Sequence, residues 1–162
     1  MTTLRTERLV LRTARVADAA VWHELWTERD PRVPAHRRID AEGRPSVDDV
    51  ARRIREGAQP LLLSVEVDGG VIGYCGLVGE GDEPELAYEL LRSAWGRGYA
   101  TEAATAVVDW ARASGYRRLW AGVRDWNTAS RRVLAKVGFE ETERVERDAV
   151  HGDSIATTRA LD

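Results

Sequence analysis

Three consecutive signals between residues 83 and 114 constrain this chain more than any other feature. "EPELAYELL" has strand character, "WGRGYAT" sets two glycines one residue apart around Arg97, and the residues that follow fall into a helical pattern. Ala100, Ala103, Ala104, Val107, Val108 and Ala111 form one stripe, while Glu102, Thr105, Asp109 and Arg112 face away. A helix with so narrow an apolar face can lay its axis close to a sheet. Its N-terminus leaves a strand through a glycine turn, so several unpaired backbone N–H groups converge on one point, and the helix dipole adds partial positive charge. Arg92 and Arg97 add full charges. The arrangement suits an anion. On spacing alone it suits a tight turn with solvated arginines equally well.

Two common nucleotide fingerprints do not fit. A Walker loop requires G-x-x-x-x-G-K-[ST], which is absent. A dinucleotide loop requires a third glycine, where Thr101 stands, and an acidic residue about 20 positions on, where Arg118 stands. A hydride-transfer enzyme of that type is excluded on both counts.

The rest of the chain alternates strands and helices. "RLVLRTAR" (8–15) reads as a strand, and Asp18 is expected to cap a helix over 19–30 that stops before Pro31. Residues 31–45 read as loop. Residues 46–57 read as a helix opened by a Ser46/Asp49 capping box and closed by Gly57. Two apolar runs flank Asp68-Gly69, a hairpin signal. A strand at 117–125 precedes a helix at 127–138, capped by Asn127 and ended by Gly138, and a hairpin closes the chain through His151-Gly152-Asp153. The sum is an α/β (α+β) chain with a largely antiparallel sheet, read as a single domain over 1–162.

Composition narrows the partners. Twenty-four basic and 27 acidic residues give a net charge of −3, which argues against a nucleic-acid binder. The lone Cys75 cannot close an internal disulfide and reads as a small core residue. No apolar run approaches a membrane span or a signal peptide. A cytoplasmic location without membrane association is therefore expected. The three histidines, His23, His36 and His151, lack the spacing of a zinc site, so no metal is expected.

"WGRGYA" (95–100) resembles the pyrophosphate loop Q/R-x-x-G-x-G/A of the GNAT N-acetyltransferase superfamily, with Gly98 and Ala100 at the small positions. Trp95 departs from the general motif and resembles the RimJ/RimL-like branch. "TERLVLRTARVADA" (6–19), "ELAYEL" (85–90) and "NTASRRVLAKVGFEE" (127–141) are similar to that branch in the same order. The resemblance implies a mixed, mostly antiparallel sheet of six to seven strands. It is flanked by about four helices and splayed between its fourth and fifth strands.

The resemblance also assigns roles. The amides of Arg97, Gly98, Tyr99, Ala100 and Thr101 would hold the pyrophosphate of acetyl-CoA, and the main chain of Leu90 and Leu91 would pair with its pantetheine arm. Asn127 would bond near the pantetheine or substrate, although it reads equally as a helix cap. Ser130 would protonate the departing thiolate, and Glu85 would be the base. Glu89 falls on the same side of an ideal strand as Glu85. Of the tryptophans, Trp22 and Trp26 read as core from their helical spacing, and Trp126 is the one expected to face the site. The implied activity is acetyl transfer from acetyl-CoA to a primary amine, either a protein N-terminus or a small molecule, by direct attack in a ternary complex. A catalytically silent acyl-CoA-binding module is the alternative. Homodimers are common in the resembling family.

Overall fold

In the computed structural model, which describes residues 2–162, the turn chemistry lands where the sequence places it. Strands β1 (Thr3–Arg5) and β2 (Leu9–Thr13) lead into helices α1 (Ala19–Thr27) and α2 (Val47–Arg55). Next come β3 (Leu62–Val67), β4 (Gly70–Val78) and β5 (Glu85–Leu90), then α3 (Tyr99–Ala113), β6 (Arg118–Arg124), α4 (Thr128–Lys136), β7 (Glu140–Glu146) and β8 (Ser154–Ala160). Asp68 and Gly69 both take positive φ, 50° and 82°, matching the twist of the β3–β4 hairpin. Ser46 accepts from the Asp49 amide at 3.1 Å while Asp49 accepts from the Ser46 amide at 2.8 Å, a complete capping box for α2.

One sheet runs β1-β2-β3-β4-β5-β6-β8-β7, eight strands where six to seven were expected. The addition is β1, three residues pairing Thr3–Arg5 with Val10–Arg12 at the edge, too short to show a periodicity. Every neighbouring pair is antiparallel except β5 and β6, which are parallel because α3 carries the chain across between them. Their register among the described residues is a single pair, Glu85 with Trp120, supported by the Trp120 amide donating to the Pro84 carbonyl at 3.1 Å. Beyond it the strands diverge. With β1 counted, the expected splay between the fourth and fifth strands falls between β5 and β6.

Helices α3 and α4 cover one face of the sheet and α1 and α2 the other. The α3 stripe of Ala103, Ala104, Val107, Val108 and Ala111 is buried against Leu9, Leu11, Val65, Cys75 and Leu77. Cys75 is fully enclosed, and burial pushes its thiol pKa well up, which matches the core reading.

Asp18 corrects an expectation. It stands at the N-cap of α1 but makes no capping bond. Instead it turns into the sheet and accepts from both Arg12 terminal nitrogens (2.8 and 3.0 Å), the Arg15 amide (2.8 Å) and the Ser64 hydroxyl (2.7 Å). A buried guanidinium competes better for a carboxylate than a helix terminus does. Helix α1 also ends three residues sooner than expected, at Thr27, where Glu28 closes its last turn.

Candidate active site

The glycine turn forms as its sequence requires. A single 3-10 turn over Arg92–Ala94 leaves β5, and Gly96 and Gly98 both take positive φ, 75° and 79°. Gly98 is the N-cap of α3 and its carbonyl receives the Glu102 amide at 3.0 Å. The amides of Tyr99, Ala100 and Thr101 therefore precede the first intrahelical bond and are open to an acceptor. Arg97 is exposed, and its carbonyl accepts from Arg8 at 2.9 Å.

Arg8 is a residue the motif does not mark. Its guanidinium lies 4.5 Å from the Tyr99 ring centroid and pairs with Glu102 at 2.7 Å, and a Cβ at position 98 would sit 3.4 Å from its Nη2. Glu102, in the first turn of α3, would repel an anion there. Burial favours its neutral form, but the Thr6 hydroxyl and Arg8 outweigh that and hold its pKa below the ordinary value, so its charge is spent on them.

Backbone groups alternate between the two edges of a strand. The Leu91 amide donates to Ile72 in β4, whereas the Pro84 carbonyl meets β6, so the main chain of Leu86, Tyr88 and Leu90 faces the splay. The Leu90 carbonyl accepts from the Trp95 indole at 2.8 Å. This leaves the Leu90 amide and the main chain of Tyr88 along the gap. Leu91, by contrast, commits its amide to the neighbouring strand. The side chains of Leu86 and Leu90 are buried in the core.

Across the gap, Asn127 caps α4, its Oδ1 accepting from the Ser130 amide at 3.1 Å. Ser130 meets the Tyr88 hydroxyl, which lies 2.8 Å from its Oγ and 3.2 Å from its carbonyl. Burial pushes the Tyr88 phenol up to about 12 even though the Ser130 bond favours ionisation, so the phenol keeps its proton at neutral pH. In sequence Tyr88 is one more large residue alternating with Leu86 and Leu90, and nothing marks it apart from core.

The other face of the splay is bridged by the segment after α1. Arg29 forks onto Glu89 at 3.0 and 2.9 Å, Tyr74 donates to the same carboxylate at 2.8 Å, and Arg32 lies 4.0 Å from the Trp126 ring centroid. One arginine thus rests on each bank. Glu89 is fully engaged, whereas Glu85 is exposed at the closed end of the splay. There it lines a cleft of about 370 Å³ with Glu83, Trp120, Arg144, Glu146 and Ser154. Trp126 sits at the corner before Asn127 and donates to the His151 carbonyl at 2.7 Å. Trp22 packs on Tyr74, at 5.1 Å between centroids, and on the α1–α2 cluster, in line with a core role. Trp26 instead lies under the Arg29 guanidinium, 4.0 Å from it.

A splayed sheet with open backbone amides at a helix start on one bank is an acyltransferase-like arrangement, and comparison with known proteins agrees. Residues 8–140 match the family model described as acetyltransferase (GNAT) domain, so the chain belongs to the GNAT acetyltransferase family. It is 32% identical over 151 residues, 87% of this chain and 84% of the relative, to the uncharacterized N-acetyltransferase p20 of Bacillus licheniformis. In structure it is similar to a GNAT-family acetyltransferase from Bacillus anthracis (TM-score 0.82, 19% identity, 99% of each chain). It is also similar to RimL, a ribosomal L7/L12 alpha-N-protein acetyltransferase solved with coenzyme A (TM-score 0.81, 16% identity, 99% of each chain). At these identities the two structures speak for the fold.

Proposed function

We propose that this chain, acting as one domain, moves the acetyl group of acetyl-CoA directly onto a primary amine within a ternary complex. The observation that carries the reading is the gap between β5 and β6. It opens beside unpaired amides at the start of α3, is lined by free main chain of β5, and meets a hydroxyl pair at Ser130. The residues suit acetyl-CoA. The amides of Gly98, Tyr99, Ala100 and Thr101 with the dipole of α3 hold the pyrophosphate. Arg97 lends its amide and its charge. The Leu90 amide and the Tyr88 main chain pair with the pantetheine arm, and one of these amides steadies the tetrahedral oxyanion. Asn127 fixes the first turn of α4 and with it Ser130, which protonates the leaving thiolate.

The acceptor approaches from the α1–α2 face, where the bridging segment leaves the 370 Å³ cleft at its lower end. Glu85 in that cleft takes the amine proton, because only the neutral amine attacks. The acceptor is a protein N-terminus, as for RimL, or a small amine.

Gly98→Asp puts negative charge and a strained side chain on the pyrophosphate loop. Calorimetry should show acetyl-CoA affinity reduced by roughly tenfold or more, and undiminished affinity would refute the loop assignment. A panel of amines and N-terminal peptides, followed by free-thiol release, identifies the acceptor. With that acceptor, Glu85→Gln should lower the rate near neutral pH by about 10²-fold or more with little change in acetyl-CoA binding. An unchanged pH–rate profile removes Glu85 as the base.

A further inference from the structure

We propose that Tyr88 is a positioning residue that aims the Ser130 hydroxyl proton at the sulfur of the departing CoA. The inference rests on the reading of Ser130 as proton donor. Tyr88 comes from β5 and Ser130 from α4, so their bond crosses the splay on the α3–α4 face. A helical serine commonly returns its proton to the carbonyl one turn earlier. Ser130 makes no such bond to Trp126; its Oγ is held by the phenol at 2.8 Å instead.

Each hydroxyl carries one proton and can accept as well as donate. Tyr88 has two places for its proton, the Ser130 carbonyl at 3.2 Å and the Ser130 Oγ at 2.8 Å. When it donates to Oγ, the serine proton is freed for another acceptor, and a thiolate forming in the gap selects that arrangement. The phenol also supports the charge that grows on Oγ as its proton leaves. A tyrosine whose proton is held at neutral pH, with its ring packed against the main core, is a fixed donor for this purpose.

The step balances. The amine nitrogen bonds to the acetyl carbon, the carbon–sulfur bond breaks, and the base takes the amine proton. Sulfur takes the Ser130 proton, and Ser130 recovers one from solvent after CoA leaves.

The test needs no acceptor, because a donor to the thiolate also acidifies the thiol of bound CoA. The probe is CoA itself, alkylated by iodoacetamide on the enzyme across a pH series and followed by mass spectrometry. Cys75, the only protein thiol, is buried and does not compete. Y88F and S130A are each expected to raise the midpoint by about one pH unit, a roughly tenfold smaller thiolate fraction at fixed pH. Calorimetric CoA affinity should stay within about twofold of wild type. Y88F/S130A should shift no further than S130A, and Ser130→Thr, which keeps the hydroxyl, should retain most of the wild-type midpoint.

A Y88F midpoint equal to wild type beside a shifted S130A overturns the proposal. So does a Y88F shift that persists undiminished in the S130A background, or a Y88F enzyme that no longer binds CoA. An unshifted S130A removes Ser130 itself as donor, a failure of the underlying reading and so separable from the others.

Discussion

The two faces of the sheet are built from different materials. On the α3–α4 face the contacts are alanines and valines of α3 against leucines and valines of β2, β3 and β4. On the α1–α2 face the apolar cluster is small, Ala19, Val50 and Ala51 with Trp22 and Ile54 around it, and ion pairs do much of the joining. Arg12, Asp18 and Ser64 form one knot, and Arg29, Glu89 and Tyr74 another. The difference matches the tasks proposed for the two faces. A face of small residues lets a helix approach closely and aim its N-terminus at a ligand entering the gap. Forked ion pairs hold a loop to a sheet by direction rather than by area, which suits a segment that shapes access to the cleft.

That contrast can be broken most severely at Asp18. It is 4% exposed and Arg12 8%, and Arg12 Nε, though 3.2 Å from Glu66, is misdirected for a hydrogen bond. Asp18→Ala leaves the guanidinium only one carboxylate contact, the off-axis one with Glu66, and should lower stability by about 3 kcal/mol in urea unfolding. The paired replacement Arg12→Leu with Asp18→Leu should recover part of that loss, since apolar substitutes of similar volume often match a buried ion pair. The remainder is set by the buried Ser64 hydroxyl, which loses its acceptor. Were the pair no better than the single variant, the knot would contribute more than charge compensation.

On the opposite face the sensitive property is volume. Ala104 is fully buried, and Ala104→Leu should cost about 1–3 kcal/mol in the same assay by pushing α3 off the sheet. It should also weaken acetyl-CoA binding, because the glycine loop proposed to hold the pyrophosphate leads into that helix. A stability loss with unaltered affinity would uncouple helix packing from the loop.

The mildest distinction is pH. Burial raises the Asp18 pKa, but bonds from Arg12, the Arg15 amide and Ser64 outweigh it and hold it below the ordinary 3.8. A carboxylate depressed on folding contributes stability that is full above its unfolded pKa and is lost as pH falls through the folded one. The wild-type urea midpoint should therefore decline on acidification below about pH 4, and the double leucine variant should decline less steeply. Equal slopes would assign acid sensitivity to other carboxylates.

Local chemistry was legible wherever it is local in cause. The Ser46/Asp49 box, the Asp68-Gly69 turn, the Asn127 cap and the α3 stripe each depend on residues within one or two turns, and each stands where its spacing puts it. Asp18 failed as a cap because its partner lies on a strand six residues back and its hydroxyl donor 46 residues on. The same distance hid Tyr88, whose partner is 42 residues away, and Arg8, which meets Glu102 94 residues away.

By itself the sequence determined the order of every element except β1, the glycine turn before an alanine-striped helix, and the residue types proposed to hold an anion there. Those follow from backbone freedom at Gly98 and from side-chain periodicity, both set within a few neighbours. The tertiary structure alone decided that β8 lies between β6 and β7, and that Tyr88 and Ser130 meet across the gap between β5 and β6. Each is a contact between segments far apart in the chain, chosen by the competition among all surfaces that must be buried together, and no local pattern records the outcome of that competition.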